Sequence, residues 1–326
     1  MASSVREPNL ASLGGSSPTR VLKRYFAATR PKFYAASLLP LLVGASLGFA
    51  GSERLDVLVV LLAVGAVLCL HGGANVLNDV ADEASGNDGA NSGRIHPYSG
   101  GSRFIQNGIL DMARMRRLGL GLLAAAAVLG LLLTVHRGPG VVLFGLAGLA
   151  LGVCYSLPPL RLSARGLGEG AVALAFGVLP VLGMYWLLTG RLDPHAAIVS
   201  LPISFWVTAI LLINEVPDGR ADGAVGRRTL VVRCGNRGAR WIYLALQALA
   251  FAAIAWCALT GLLPIWSIIL PGMLLAASWR AAAAIANADH DRRALRQGIE
   301  LTLAIHGLGS VWLAGWIWLP AIFPGF

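Results

Sequence analysis

Charge is what this chain has least of. Charged residues fill 13% of its 326 positions, and only 16 of them are acidic. No stretch is long and polar enough to form a separate soluble domain, so a single domain is expected. Lysine is nearly absent, with Lys23 and Lys32 alone. Cysteine is scarce too. Cys69, Cys154, Cys234 and Cys257 form no CxxC pair, which argues against a thiol redox or zinc motif and for small buried hydrophobes. The formal charge of +10 does not mark a nucleic-acid binder, because the arginines sit in short loops between apolar runs.

What remains is apolar. Hydrophobic residues make up 56% of the chain, in runs of about 20 residues, the length that crosses a bilayer as helix. The Ala/Leu/Gly-rich runs read as helices and not as alternating barrel strands. The expected class is an all-α polytopic membrane protein with nine transmembrane helices, over about 33–51, 56–84, 113–135, 139–157, 166–189, 195–216, 238–262, 264–286 and 296–320. Residues 1–24 read as a polar, disordered tail with basic residues and no cleavable signal, and 25–326 as one transmembrane domain. With the N-terminus in the cytoplasm, 23 Lys and Arg fall on that side and three on the other, so the C-terminus is expected outside.

Seven of the 16 acidic residues lie in two clusters that each close an apolar run. The first runs from Asn75 to Asp88 and holds Asp79, Asp82, Glu83 and Asp88. The second runs from Asn214 to Asp222 and holds Glu215, Asp218 and Asp222. Ionisable groups at membrane depth are costly and therefore functional candidates. Asn75, Asp79 and Asp82 share one helix face by spacing, as do Asn214, Asp218 and Asp222. Pro217 is expected to kink or end a helix there. The topology puts both clusters on the cytoplasmic side, each followed by a Gly/Arg loop whose backbone N–H groups can approach an anion.

Oxygen ligands of this kind suit Mg²⁺, which takes one or two carboxylates and completes its shell with water and phosphate oxygens. Arg94, Arg103, Arg220, Arg227 and Arg228 are available for other phosphate oxygens. A lipid-soluble molecule with such a head is a polyprenyl diphosphate. Metal and arginine would stabilise the departing diphosphate while a second substrate attacks the allylic carbon.

The residues carry a resemblance over nearly the whole chain. Asn78-Asp79-x-x-Asp82-x-x-x-Gly86-x-Asp88, followed by Pro97-x-Ser99-Gly100-Gly101-Ser102, resembles the first motif of the UbiA superfamily of intramembrane prenyltransferases. It is most similar to the 1,4-dihydroxy-2-naphthoate branch of menaquinone biosynthesis. Asp218-x-x-x-Asp222-x-x-x-Gly226-Arg227-Arg228-Thr229 resembles the second motif. Ala28-Thr29-Arg30-Pro31-Lys32, Tyr155-Ser156-x-Pro158-Pro159 and Gly166-Leu167-Gly168-Glu169 match as well.

The resemblance implies nine helices around a central cavity in a bacterial inner membrane, with the active site facing the cytoplasm. It implies that Asp79, Asp82, Asp218 and Asp222 bind diphosphate through Mg²⁺ and that Asn75, Asn78 and Ser102 line the site. Arg94 and Arg228 would touch the diphosphate, Tyr155 would face the reacting carbon, and Glu169 would orient or deprotonate the acceptor. For Tyr155 an interfacial role, and for Glu169 a helix-start role, stay open.

Two departures lie on the acceptor side. Asn214-Glu215-Val216-Pro217-Asp218 stands where that branch often has Asn-Asn-x-Arg-Asp, and Ser163 stands where a basic residue is expected. Dihydroxynaphthoate, 4-hydroxybenzoate and homogentisate types of acceptor stay open, as does a transporter or ion pathway that uses the carboxylates.

Overall fold

Lipid offers backbone polar groups no water partner, so long apolar runs close their hydrogen bonds within helices. The computed structural model of the chain describes residues 7–86, 91, 93–156 and 159–322, and among these there is no strand. Asp88 and Pro158, both in expected motifs, lie outside the described residues.

The helices are α1 (Leu10–Leu13), α2 (Pro18–Ala28), α3 (Ala35–Ser52), α4 (Val57–Ala84), α5 (Met112–Arg137) and α6 (Gly140–Ser156). They continue as α7 (Gly168–Thr189), α8 (Pro194–Glu215), α9 (Gly219–Ala224), α10 (Leu230–Leu259), α11 (Ile269–Ala286) and α12 (Arg292–Ile322). Residues 7–24, expected within the disordered tail, hold α1 and most of α2.

Helices α3, α4, α5, α7, α8, α10, α11 and α12 are long and apolar enough to cross a membrane. These eight match eight of the expected spans. The ninth expected span, α6, is apolar but has 17 residues, which is about 25 Å of helix.

Polar caps set the starts of the long helices. Asp56 accepts the Val59 N–H at the start of α4, Asp111 the Arg114 N–H at α5, and Asp193 the His195 N–H at α8. Helix α10 begins at Leu230, ahead of the expected 238, because Thr229 caps it by accepting the Val232 N–H. Its first turns carry Arg233 and Arg237, which read as loop charges in the sequence. Gly235, at φ 65°, breaks the helix between them.

Helix α8 is the axis of the bundle. Of its apolar window, 72% is buried inside the protein, against 11% for α5 at the periphery. Helix α7 widens to a π turn over Ala173–Val178 where it passes α8. There Gly177 lies directly on Ser204, and a side chain on Gly177 has no room. Close contact of this kind at a small residue is a common way to pack helices in membranes. The consequence for function is positional. The C-terminal ends of α4 and the axial α8 carry the two acidic clusters, and a cavity opens between them.

Candidate active site

The cavity has a volume of about 310 Å³ and two chemically distinct ends. One end is apolar, walled by Val67, Leu70, Leu151, Val172, Phe176 and Leu211. The other is polar and gathers Asn75, Asn78 and Asp82 from α4 with Asn214 and Glu215 from α8. Asp218 and Asp222 join them from beyond the end of α8. As Pro217 implied, α8 stops at Glu215. The short α9 then carries Asp222, so this residue is helical and not loop.

Carboxylates at the C-terminal ends of helices face the negative ends of two helix dipoles, an unfavourable setting unless cations are present. Two arginines supply the positive charge. Arg227 Nη1 lies 3.4 Å from Asp82 Oδ1 and 3.3 Å from Asp222 Oδ1, so one guanidinium ties the first motif to the second. Burial works against the charged Arg227, but Asp222 and Asp82 outweigh it and raise its pKa. Arg30 approaches Asp79 at 3.8 Å and lies over the Phe33 ring at 4.9 Å. Its backbone is left-handed, at φ 58°, a strained geometry for arginine that turns the side chain toward the cavity it lines.

A single loop closes over both motifs. The Gly100 N–H donates to Asp218 Oδ2 at 3.2 Å, and the Ser102 N–H donates to Asp79 Oδ2 at 3.1 Å. Gly100 needs its φ of 73°, and a Cβ there would meet the Arg94 side chain at 2.6 Å. The glycine loop does reach anions, as its sequence suggested, but these anions are the protein's own carboxylates. Asn91 Nδ2 donates to Asp218 Oδ1 at 2.7 Å. Burial raises the pKa of Asp218, and the bonds from Asn91, Ser99 and Gly100 oppose that rise.

The structure brings most of the expected site residues together. Asp82, Asp218, Asp222, Asn75, Asn78 and Tyr155 all line the cavity. Asn78 donates to Asp82 Oδ2 at 2.8 Å and accepts from Ser156 at 3.0 Å, while Asn75 donates to the Thr29 carbonyl at 3.1 Å. Asp79 is 2% exposed and stands behind the cavity wall, where its Oδ1 has no hydrogen-bond partner. Ser102 is buried beside it.

Three expected residues stand elsewhere. Arg94 is turned away into an ion pair with Glu7 at 2.8 Å. Arg228 borders a separate surface hollow with Val232 and Arg233. Glu169 is buried behind the wall, where it accepts the Leu230 N–H at 3.2 Å.

The cavity arginines are thus Arg30 and Arg227. Arg227 was available in the sequence as one of five loop arginines, but nothing in spacing separates it from its neighbour Arg228. Arg30 was visible only as part of a motif before the first span. His71, one turn before Asn75, also lines the cavity. Ser37 Oγ lies 2.8 Å from its Nδ1, and the Tyr34 and Phe176 rings pack against it.

A divalent metal fits this donor set in one specific sense. Among the described residues no three His, Cys, Asp or Glu side chains gather as a ready metal cage. Carboxylates from two helix ends do face one cavity, and the buried Oδ1 of Asp79, 3.8 Å from Arg30, receives no hydrogen bond. That suits a cation such as Mg²⁺, which draws its remaining ligands from water and phosphate.

Comparison with known proteins identifies the family and relatives of similar fold. A family model described as the UbiA prenyltransferase family matches residues 37–306. The 1,4-dihydroxy-2-naphthoate octaprenyltransferase of Haemophilus influenzae is 30% identical over 245 residues, covering 72% of this chain and 77% of that protein. The enzyme of the same name from Bacillus subtilis is 28% identical over 238 residues, covering 73% and 74%. In fold, the chain is similar to a solved UbiA homolog from Archaeoglobus fulgidus bound to DMAPP and Mg²⁺. The TM-score is 0.65 at 18% identity, over 90% of this chain and 97% of that one.

Proposed function

Because the chain belongs to the UbiA prenyltransferase family, we propose that it transfers a polyprenyl group from polyprenyl diphosphate to an aromatic acceptor, 1,4-dihydroxy-2-naphthoate. The observation that carries this reading is the two-ended cavity, with carboxylates and arginines at one end and an apolar wall at the other. Such a space matches a molecule with a charged head and a hydrocarbon tail. The relatives named for octaprenyl transfer to dihydroxynaphthoate support the choice of acceptor.

In this reading Asp82, Asp218 and Asp222 face the diphosphate, with Asp79 behind them, and Mg²⁺ when bound would take up negative charge on the departing diphosphate. Arg30 and Arg227 hold its oxygens. Loop 99–102 fixes the carboxylates through its N–H groups. The C–O bond to the prenyl carbon breaks with its electron pair leaving on diphosphate. A ring carbon of the acceptor forms the new C–C bond, and a carboxylate at that carbon departs as CO₂. The Tyr155 ring faces the electron-poor allylic carbon. Asn75 and Asn78 orient the head group.

We place nine helices in an inner membrane, with α6 as the ninth, the N-terminus and the site on the cytoplasmic side and residues 25–326 as the single transmembrane domain.

The test is a proteoliposome assay with octaprenyl diphosphate, Mg²⁺ and a panel of dihydroxynaphthoate, 4-hydroxybenzoate and homogentisate, read by product mass. Prenylated 1,4-dihydroxynaphthalene, without the carboxylate, is expected. Asp82→Asn and Asp218→Asn should each lower turnover by roughly 100-fold or more, the scale of losing one charge-stabilising group. Full turnover in either variant refutes the assigned roles.

A further inference from the structure

Glu215 has the chemistry of a recognition group that the diphosphate does not use. It is the last residue of α8, only 8% exposed, yet it lines the cavity. Its Oε2 is buried and receives no hydrogen bond from the protein. Its carboxyl lies close to that of Glu169. Glu169 is itself held by the Leu230 N–H, which donates to its Oε1. Tyr155 and Arg227, which also line the cavity, are close enough to the Glu215 carboxyl to interact with it electrostatically.

A buried carboxyl oxygen without a donor is unfavourable, and the deficit is made good by a ligand that brings a donor. The diphosphate brings none, since all its oxygens accept. The prenyl tail brings none either. Of the two substrates, the acceptor is the one that can bring a donor.

We propose that Glu215 accepts a hydrogen bond from a ring hydroxyl of the acceptor, and that it thereby restricts the site to hydroxyarenes. This rests on the prenyl-transfer reading and adds to it the group that selects the acceptor. A hydroxyl held in this way also feeds electron density into the ring that attacks the allylic carbon. Selection follows because a ring without the hydroxyl leaves the oxygen unpartnered, and sites built around a substrate hydroxyl reject the analogue that lacks it.

The experiment crosses two enzymes with two acceptors. Wild type and Glu215→Leu are each given a hydroxylated naphthalene and its deoxy analogue, with octaprenyl diphosphate and Mg²⁺, and kcat/KM is read for the acceptor. Wild type should prefer the hydroxylated ring by a factor that Glu215→Leu reduces roughly 10- to 100-fold. The ratio of ratios cancels the intrinsic reactivity of the rings. KM for octaprenyl diphosphate and the Mg²⁺ midpoint should stay within about twofold, and Glu215→Gln, whose amide oxygen still accepts, should retain most of the preference.

A Glu215 that only supports the fold slows both acceptors equally, and an unchanged ratio overturns the proposal. So does a shift confined to the Mg²⁺ midpoint, which would make Glu215 a metal ligand. If Glu215→Leu does not fold, competition on wild type decides. Inhibition by a non-reacting hydroxylated ring at least tenfold stronger than by its deoxy analogue supports the assignment, and equal inhibition overturns it. Absence of prenyl product from every acceptor refutes prenyl transfer itself, and this assignment with it.

Discussion

Replacing Arg227 by methionine keeps the length of the side chain and removes a charge that pairs with both motifs. The structure allows the effect to be sized. Two unit charges about 3.3 Å apart attract by roughly 5 kcal/mol at an effective dielectric near 20, before desolvation is subtracted. Deleting one partner of a buried pair costs about 3–5 kcal/mol, because the other charge is left uncompensated. The Arg227 side chain is 18% exposed, against 19% for Asp82 and 4% for Asp222, so water reaches part of the cluster. The low end, about 3 kcal/mol, is therefore expected.

In detergent with a chelator, Arg227→Met should melt at least several degrees below wild type, on the scale of about 2–4 °C per kcal/mol for a large domain. Mg²⁺ should restore much of that loss, and at a lower concentration than wild type needs, since the guanidinium no longer competes for Asp82 and Asp222. Prenyl transfer should nevertheless fall, because Mg²⁺ replaces the charge but not the fork that grips diphosphate. Equal melting of the two proteins in chelator, with the same Mg²⁺ midpoint, would refute the bridge.

Two further outcomes follow from the same geometry. Burial raises the Asp218 pKa above its ordinary value of 3.8 against the pull of Asn91, Ser99 and Gly100, so protonation sets in at a higher pH than for a free aspartate. The proton competes with the cation. The acid limb of the rate profile should therefore lie above pH 3.8 and move down as Mg²⁺ is raised, whereas a limb indifferent to Mg²⁺ contradicts the role of Asp218. Without a cation the sign for stability is the reverse, because a raised carboxylate pKa favours the fold at low pH and that contribution is lost as pH rises through it. Gly177→Val forces a side chain onto Ser204 at the π turn and should cost ~1–3 kcal/mol, read as a lower melting temperature. An unchanged melting temperature would show that α7 can move off α8.

The long helices were legible because hydrophobic runs of bilayer length admit few other structures. The acidic residues were legible because their energetic cost marks them wherever they occur. The choice among arginines was not. Arg227 and Arg228 are neighbours with the same chemistry, and only the turn after α9 sends one to Asp82 and the other to the surface. Arg30 depends on a left-handed backbone that no periodicity encodes. Arg94 pairs with Glu7, a residue of the tail that no local pattern ties to it. Glu169 was expected to meet the acceptor itself, but it is buried outside the cavity lining and accepts the Leu230 N–H. Helix α10 starts ahead of the expected 238 because Thr229 caps a first short segment, which Gly235 separates from the long span.

The loop that closes over the carboxylates also sets an order of assembly. Its bond from Ser102 to Asp79 spans 23 residues, while its bond from Gly100 to Asp218 spans 118. During synthesis the first can form as soon as α4 and its loop have emerged. The second must wait until α5 to α8 have been threaded into the bilayer. Half of the clasp is thus fastened early and half late, and a nascent chain halted before α8 would carry the first acidic cluster without a competent pocket.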